Sequence, residues 1–201
     1  MSRRVYGTLM HQVAKRGRLH VLRVFRRELG RPAHRAAPPG LELRVLSQAE
    51  LLAHCRDPGL DLREAMIHGM LRRGDLCLGA LDGGTLLGYV WFAYQSAPHV
   101  DGIWVKVPPR AVYRFKSFVR PSSRGMGIAA ALYAVADGAV VRPGLDSVVS
   151  CVAVQNLASI AATLKSGSRP LGTLAYWQAG RWFVAFHSRS VRRLGLRFYR
   201  P

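Results

Sequence analysis

One stretch constrains the fold more than any other: Val119-Arg-Pro-Ser-Ser-Arg124-Gly125-Met126-Gly127-Ile128-Ala129. Before it, residues 113–119 place Arg114 and Lys116 on alternate positions among apolar and aromatic side chains, the period of a strand. After it, an alanine-rich run reaches residue 140 with Ile128, Leu132 and Val135 at helical spacing along one face. The pattern predicts a strand over 113–119 and a helix over 124–140. Glycines at 125 and 127 let the main chain approach a ligand without interference from a Cβ atom. The unpaired N–H groups of the first helical turn and the positive end of the helix dipole then converge on one place, and that place favours phosphate. Many strand-to-helix connections use glycine merely to turn, so the surrounding elements have to carry the rest of the argument.

Those elements read as one α/β domain. Residues 31–40 (RPAHRAAPPG) interrupt any regular pattern and mark a linker, so residues 1–40 read as a basic arm with its linker and the main domain as 41–188. Within the arm, residues 20–27 fit a strand or a basic amphipathic segment equally well. Residues 41–46 alternate as a half-buried strand, and Ser47 with Glu50 has the spacing of a capping box that opens a helix through His54. A second helix is expected over 60–73. Runs at 76–81 and 85–94 joined by Asp82-Gly-Gly predict a hairpin. Residues 97–109 hold three prolines and read as a loop. A strand over 147–154, a helix over 156–166 and strands near 171–177 and 182–187 complete a mixed sheet with helices packed on it. Residues 189–201, with five arginines and no acid, read as a basic tail, either disordered or lying on an anionic surface.

Charge narrows the partners. The chain has 30 Lys and Arg against 11 Asp and Glu, a net +19, with no acid after Asp146 and only four lysines among the cations. Arginine forks suit phosphate and carboxylate, which points to nucleic acid, an acidic carrier protein, a lipid headgroup or a cofactor's phosphates. The plain alternative is an arginine-rich composition spread over a solvated surface. Cys55, Cys77 and Cys151 have neither pairing signals nor metal-ligand spacing, so no disulfide framework and no metal are expected, and a cytoplasmic location is. The apolar run 128–141 is interrupted by Asp137 and falls short of the roughly 20 residues of a membrane span. Residues 1–27 carry arginines and no acid, which leaves a transit peptide or a membrane-surface segment open.

The glycine turn resembles the acyl-CoA-binding motif of the GNAT N-acyltransferase superfamily, Arg/Gln-x-x-Gly-x-Gly/Ala. Arg124, Gly127 and Ala129 match it, and Val119 and Pro121 match its Val-x-Pro lead-in. The superfamily's second segment, roughly Asn-x-x-Ala followed by an aromatic and then Gly-Phe, corresponds to Asn156-Leu-Ala-Ser159 and Gly167. The element order also matches over about 41–187, which implies a GNAT-like mixed, mostly antiparallel sheet flanked by helices. The resemblance implies an acyltransferase that moves an acyl group from acetyl-CoA or another acyl-CoA to an amine, without a covalent intermediate. It further implies that the pyrophosphate lies on Arg124, Gly125, Met126, Gly127, Ile128 and Ala129. The pantetheine arm would run beside Phe118 and Val119, with Asn156 on its other side.

Departures from the pattern leave the catalytic residues unassigned. Where the superfamily often has a tyrosine that protonates the leaving thiolate, this chain has Thr163, and the Gly-Phe pair is Gly167-Ser168. The strand over 113–119 has no glutamate to act as base; its polar positions are Tyr113, Arg114 and Lys116. His99 with Asp101 is a candidate base, since a carboxylate can tune a histidine near neutral pH, although a loop histidine is more often a solvated bystander. His187 is as well explained as structural. Two other readings stay open: an acyltransferase served by an acidic acyl carrier protein, and a protein of this fold that mainly binds nucleic acid or an anionic membrane.

Overall fold

The computed structural model describes residues 18–30, 38–100 and 102–201. Readings that fall on residues 1–17, on 31–37 and on Asp101 lie outside them. Local signals act as expected where they are strongest. The Ser47 hydroxyl accepts from the Glu50 amide at 3.3 Å while the Glu50 carboxylate accepts from the Ser47 amide at 2.8 Å. This reciprocal cap opens helix α1 (Gln48–His54). Helix α2 (Glu64–Arg72) begins four residues later than expected, because residues 57–60 turn instead, with Asp57 accepting from the Gly59 amide at 2.8 Å. Strands β3 (Leu76–Asp82) and β4 (Thr85–Ala93) form the expected hairpin, with Gly83 and Gly84 both at positive φ.

The main sheet has eight strands. With β2 (Glu42–Val45), β7 (Ala111–Val119), β8 (Ser147–Ala153), β9 (Arg169–Ala179), β10 (Trp182–His187) and β1 (Arg18–Glu28), its order is β10-β9-β1-β8-β7-β4-β3-β2. Every pairing is antiparallel except β7 with β8. Helix α3 (Ile128–Val140) packs on one face, burying Ile128, Leu132, Ala136 and Val140 with Val90, Phe92 and Val148. Val135, assigned to that buried stripe from its spacing, instead faces outward at 36% exposure, since Ala136 continues the stripe. Helix α4 (Leu157–Lys165) follows β8. On the other face α1 and α2 cover Tyr89 and Trp91.

Two boundaries differ from the sequence reading. Residues 18–28 are a central strand and not part of an arm before residue 41: β1 pairs with β8 through seven rungs from Leu22↔Ala153 to Glu28↔Ser147, and with β9 along its other edge. Val24 and Phe25 are fully buried. The successive burial of Val24 and Phe25 at a bulge breaks the alternation that Leu22, Arg23 and Val24 begin, which is why the segment read ambiguously. The basic tail is also part of the fold. Helix α5 (Arg189–Leu194) and strand β11 (Arg197–Tyr199) bury Val191, Leu196 and Phe198, and β11 pairs with β6 (Trp104–Lys106). With β5 (Ser96–Pro98), these make a second, three-stranded sheet from what read as loop and tail.

His99, between β5 and β6, lies against this core. Its ring is 4.8 Å from Phe198 and meets Tyr176 edge-on at 5.7 Å. Burial first, and then the nearby His20, pull its pKa from 6.5 down to about 4. An imidazole that is harder to protonate folded than unfolded contributes stability above pH 6.5 that drains away as pH falls toward 4. The melting temperature should fall over this window and the His99→Phe protein should show a shallower fall; parallel pH profiles would remove His99 from the account. Phe25→Ala should cost about 3–5 kcal/mol in denaturant unfolding, as for a core phenylalanine, and a loss below about 1 kcal/mol would return β1 to the status of an arm.

Candidate functional site

The site begins where two strands part. β7 and β8 pair in parallel over only four rungs, from Ala111↔Ser147 to Arg114↔Ser150. Past Arg114 the β4–β7 register shifts, with Val90 opposite Ser117 and Trp91 opposite Phe115, so Lys116 is an extra residue in a bulge. Its φ is 34°, a left-handed conformation unusual for a side-chain-bearing residue. The bulge re-aims the end of β7, and β8 continues beside β1. Between the separated strand ends and the helices that follow them, α3 and α4, lies a cleft of about 560 Å³.

The glycine turn forms one wall. A short 3₁₀ turn (Pro121–Ser123) precedes Gly125 and Gly127, whose φ angles are +86° and +82°. α3 therefore starts at Ile128, four residues after the expected start, because two left-handed residues cannot continue a right-handed helix. No side chain caps α3, and its first bond runs from the Ala131 amide to the Gly127 carbonyl at 3.0 Å. The amides of this first turn have no side-chain cap, an arrangement that suits an anion.

Of the nine candidate residues, eight line this cleft. Phe118 and Val119 come from β7, Arg124, Gly125 and Gly127 from the turn, and Ile128 and Ala129 from the first turn of α3. Asn156 closes the group from across the cleft; its side-chain oxygen caps α4 by accepting from the Ser159 amide at 3.0 Å, which leaves its amide N–H groups for a ligand. Met126 does not line the cleft and is 53% exposed. The lining carries two cations, Arg124 and Lys165, and no carboxylate. It suits a long anionic ligand whose phosphates sit on backbone amides.

Tyr133 and Ser117, which the sequence reading passed over, also line the cleft, and the Tyr133 hydroxyl donates to Ser117 Oγ at 2.7 Å. Periodicity could have found both: Ser117 is two residues before Val119 on a strand, and Tyr133 is four beyond Ala129 on a helix. Beneath Tyr133 lies Arg114, fully buried, its guanidinium carbon 3.6 Å from the ring centroid. Burial pulls the Arg114 pKa down to about 10. Its Nη2 donates to Ser150 Oγ at 2.9 Å and to Thr163 Oγ1 at 2.7 Å, and no described carboxylate pairs with it. Thr163 is wholly buried and does not line the cleft, so its hydroxyl serves Arg114.

His99 and His187 do not line the cleft. The pKa of His187 is lowered by burial and then by Arg192 and Arg197. Past the bulge, Lys116 pairs with Asp61 and Arg120 with Asp57, tying the loop between α1 and α2 to the end of β7. The Asp57 carboxyl is held below its ordinary value, chiefly by the Arg120 hydrogen bond. No group of His, Cys, Asp or Glu among the described residues is arranged to hold a metal, and no described helix is long and apolar enough to cross a membrane.

Residues 43–167 match the family model of the acetyltransferase (GNAT) family. No curated protein matches the chain. Among solved structures, a GCN5-related N-acetyltransferase from Sphaerobacter thermophilus superposes with a TM-score of 0.58 at 16% identity, covering 87% of this chain and 56% of that one. A GCN5-related N-acetyltransferase-like protein from Streptococcus suis gives 0.54 at 12% identity, covering 89% and 69%. A GCN5-related N-acetyltransferase from Kribbella flavida gives 0.55 at 14% identity, covering 87% and 64%. This chain thus spans between about half and two thirds of the length of these neighbours. The likeness extends to the mixed, mostly antiparallel sheet flanked by helices, and with more than half of the sequence inside the family match, the chain belongs to the GNAT acetyltransferase family.

Proposed function

We propose that the cleft binds an acyl-CoA, acetyl-CoA being the simplest, and that the protein transfers the acyl group to an amine. The observation that carries this is the meeting, in one cleft free of acid, of the uncapped start of α3, two left-handed glycines and Asn156. The residues fit the donor: the 128–130 amides and Arg124 would hold the pyrophosphate, while the edge of β7 at Ser117, Phe118 and Val119, which lacks β8 as a partner, would hold the pantetheine arm. Acyl-CoA supplies the activated acyl group. A backbone N–H of β7 near the bulge polarises the acyl carbonyl, and the cleft walls hold donor and amine in register. Tyr133, the one phenol lining the cleft among the described residues, would pass its proton through Ser117 to the departing sulfur, Ser117 accepting from Tyr133 as it donates, while the proton lost by the attacking amine leaves to water, from which Tyr133 is reprotonated. Arg114 and Thr163 keep the Tyr133 ring in place from below.

Gly127→Glu should abolish coenzyme A binding in calorimetric titration, through bulk and like charge where the pyrophosphate would lie. The left-handed φ adds a cost of about 1–2 kcal/mol in thermal melts, and Gly127→Asn, which tolerates that conformation, isolates the backbone contribution. Undiminished binding by a folded Gly127→Glu protein, or none by wild type, removes the basis of the reading. Tyr133→Phe should lower kcat by about a hundredfold at nearly unchanged coenzyme A affinity. Thr163→Val should instead cost about 1–3 kcal/mol of stability, by leaving Arg114 short of an acceptor, and change turnover far less. The opposite ranking of the two in turnover would exclude the Tyr133 route.

A further inference from the structure

The face of the main sheet that carries α3 and α4 ends before the sheet does. Cross-strand partners point to the same side, so the rungs Leu19↔Trp177↔Val184 and Val21↔Ala175↔Phe186 form one surface over β1, β9 and β10. Leu22, Leu174 and Tyr176, on the opposite side, are buried under α5 and the small sheet. On the first side Leu19 is 54% exposed, Trp182 63%, Val184 45% and Phe186 62%. Val154, whose amide bonds to the Val21 carbonyl, extends the surface toward β8 at 40% exposure. A sheet face this apolar has a partner, because contiguous exposed apolar surface of this kind marks an interaction site.

Charge selects among partners. Arg23 and Arg181 border this face, and residues 18–27 of β1 and residues 147–201, which include β9 and β10, contain no Asp or Glu. Arg181 places its guanidinium 5.4 Å from the Trp182 ring, and exposed Arg23 follows Val21 on the same face of β1. A second copy would bring two acid-free cationic rims together. A nucleic acid would satisfy the arginines and leave Leu19, Val154 and Val184 against water. An anionic bilayer provides headgroups for the rim and an apolar layer for the centre, with Trp at the boundary where its ring is most favoured.

We propose that this sheet face docks the protein on an anionic lipid bilayer, Trp182 and Phe186 entering the interface and Arg23 and Arg181 meeting the headgroups. The acyl-transfer cleft plays no part in this contact. The test is sedimentation of the full chain with vesicles of phosphatidylcholine containing roughly 30% phosphatidylglycerol and with phosphatidylcholine alone. Binding to the first and not the second is expected, with a blue shift of tryptophan emission. The Trp182→Ser/Phe186→Ser protein should bind at least about tenfold more weakly, from the apolar area withdrawn. Its melting curve and coenzyme A titration should match wild type, which separates this contact from the donor site. Three results would overturn the proposal: no binding to the anionic vesicles, equal binding by the double variant, or a wild-type dimer in gel filtration that the double variant dissolves.

Discussion

The structure turns on the parting of β7 from β8. A sheet is a cooperative ladder, and opening a gap in its middle leaves backbone N–H and C=O groups without partners, which is costly unless something else takes them. Here the gap is confined to one place by three devices. The bulge at Lys116 bends β7 away after four parallel rungs. Lys116 and Arg120 pair with Asp61 and Asp57, fixing the bent end to the loop between α1 and α2. β1 occupies the whole far edge of β8, so that strand stays in the sheet although its other neighbour has left. The residues past the separation, Ser117 to Val119, form one wall of the cleft.

The buried arginines belong to the same arrangement. Arg114 is the last residue of β7 paired with β8, so its side chain sits under the point of separation, between α4 and Tyr133. An arginine buried without a carboxylate persists only if neutral acceptors and an aromatic face replace water, and Ser150, Thr163 and Tyr133 supply these. Arg27 does a related task on β1, donating to the Tyr133 carbonyl at 2.8 Å. Two cations on adjacent parts of the sheet thus hold one tyrosine from its ring and from its backbone. The replacement at position 163 is then intelligible as packing: a tyrosine there would compete for the volume that Arg114 fills.

Sequence reading went furthest where the signal is local. The Ser47–Glu50 cap, the Asp82-Gly-Gly hairpin and the glycine turn each require particular residues within a few positions, and each forms where it was expected. Five of the cleft residues, Arg124, Gly125, Gly127, Ile128 and Ala129, belong to that glycine turn and the helix start after it, while Phe118, Val119 and Asn156 were named through the family resemblance. Legibility failed where burial is two-sided or partners are distant in sequence. β1 alternates over Leu22, Arg23 and Val24 and then loses the period where Val24 and Phe25 are buried in succession at a bulge, so too short a pattern is left to mark a central strand. The strands β5, β6 and β11 are three residues each, and β11 becomes a strand only by pairing with a segment about ninety residues earlier. Tyr133 lay inside a helix whose apolar pattern explained it sufficiently, and only the Ser117 contact distinguishes it from core.

The net charge of +19 is not explained by the cleft. Of the Lys and Arg among the described residues, only Arg124 and Lys165 line the cleft. Another small share is internal, in Arg27 and Arg114. Several more are spent on the few acids present, as in Arg26 and Arg110 with Asp146, or Arg73 with Asp75. What remains is concentrated in the elements that lack acids altogether, β9 through β11 and the chain leading into β1. Self-repulsion of that many cations weakens the folded state and is tolerated when an anionic surface is there to screen it. The arginines of α5 and β11 lie across the sheet from the apolar face that β10 leaves open, whereas Arg23 and Arg181 border that face, and it is these two that share one physical explanation with it.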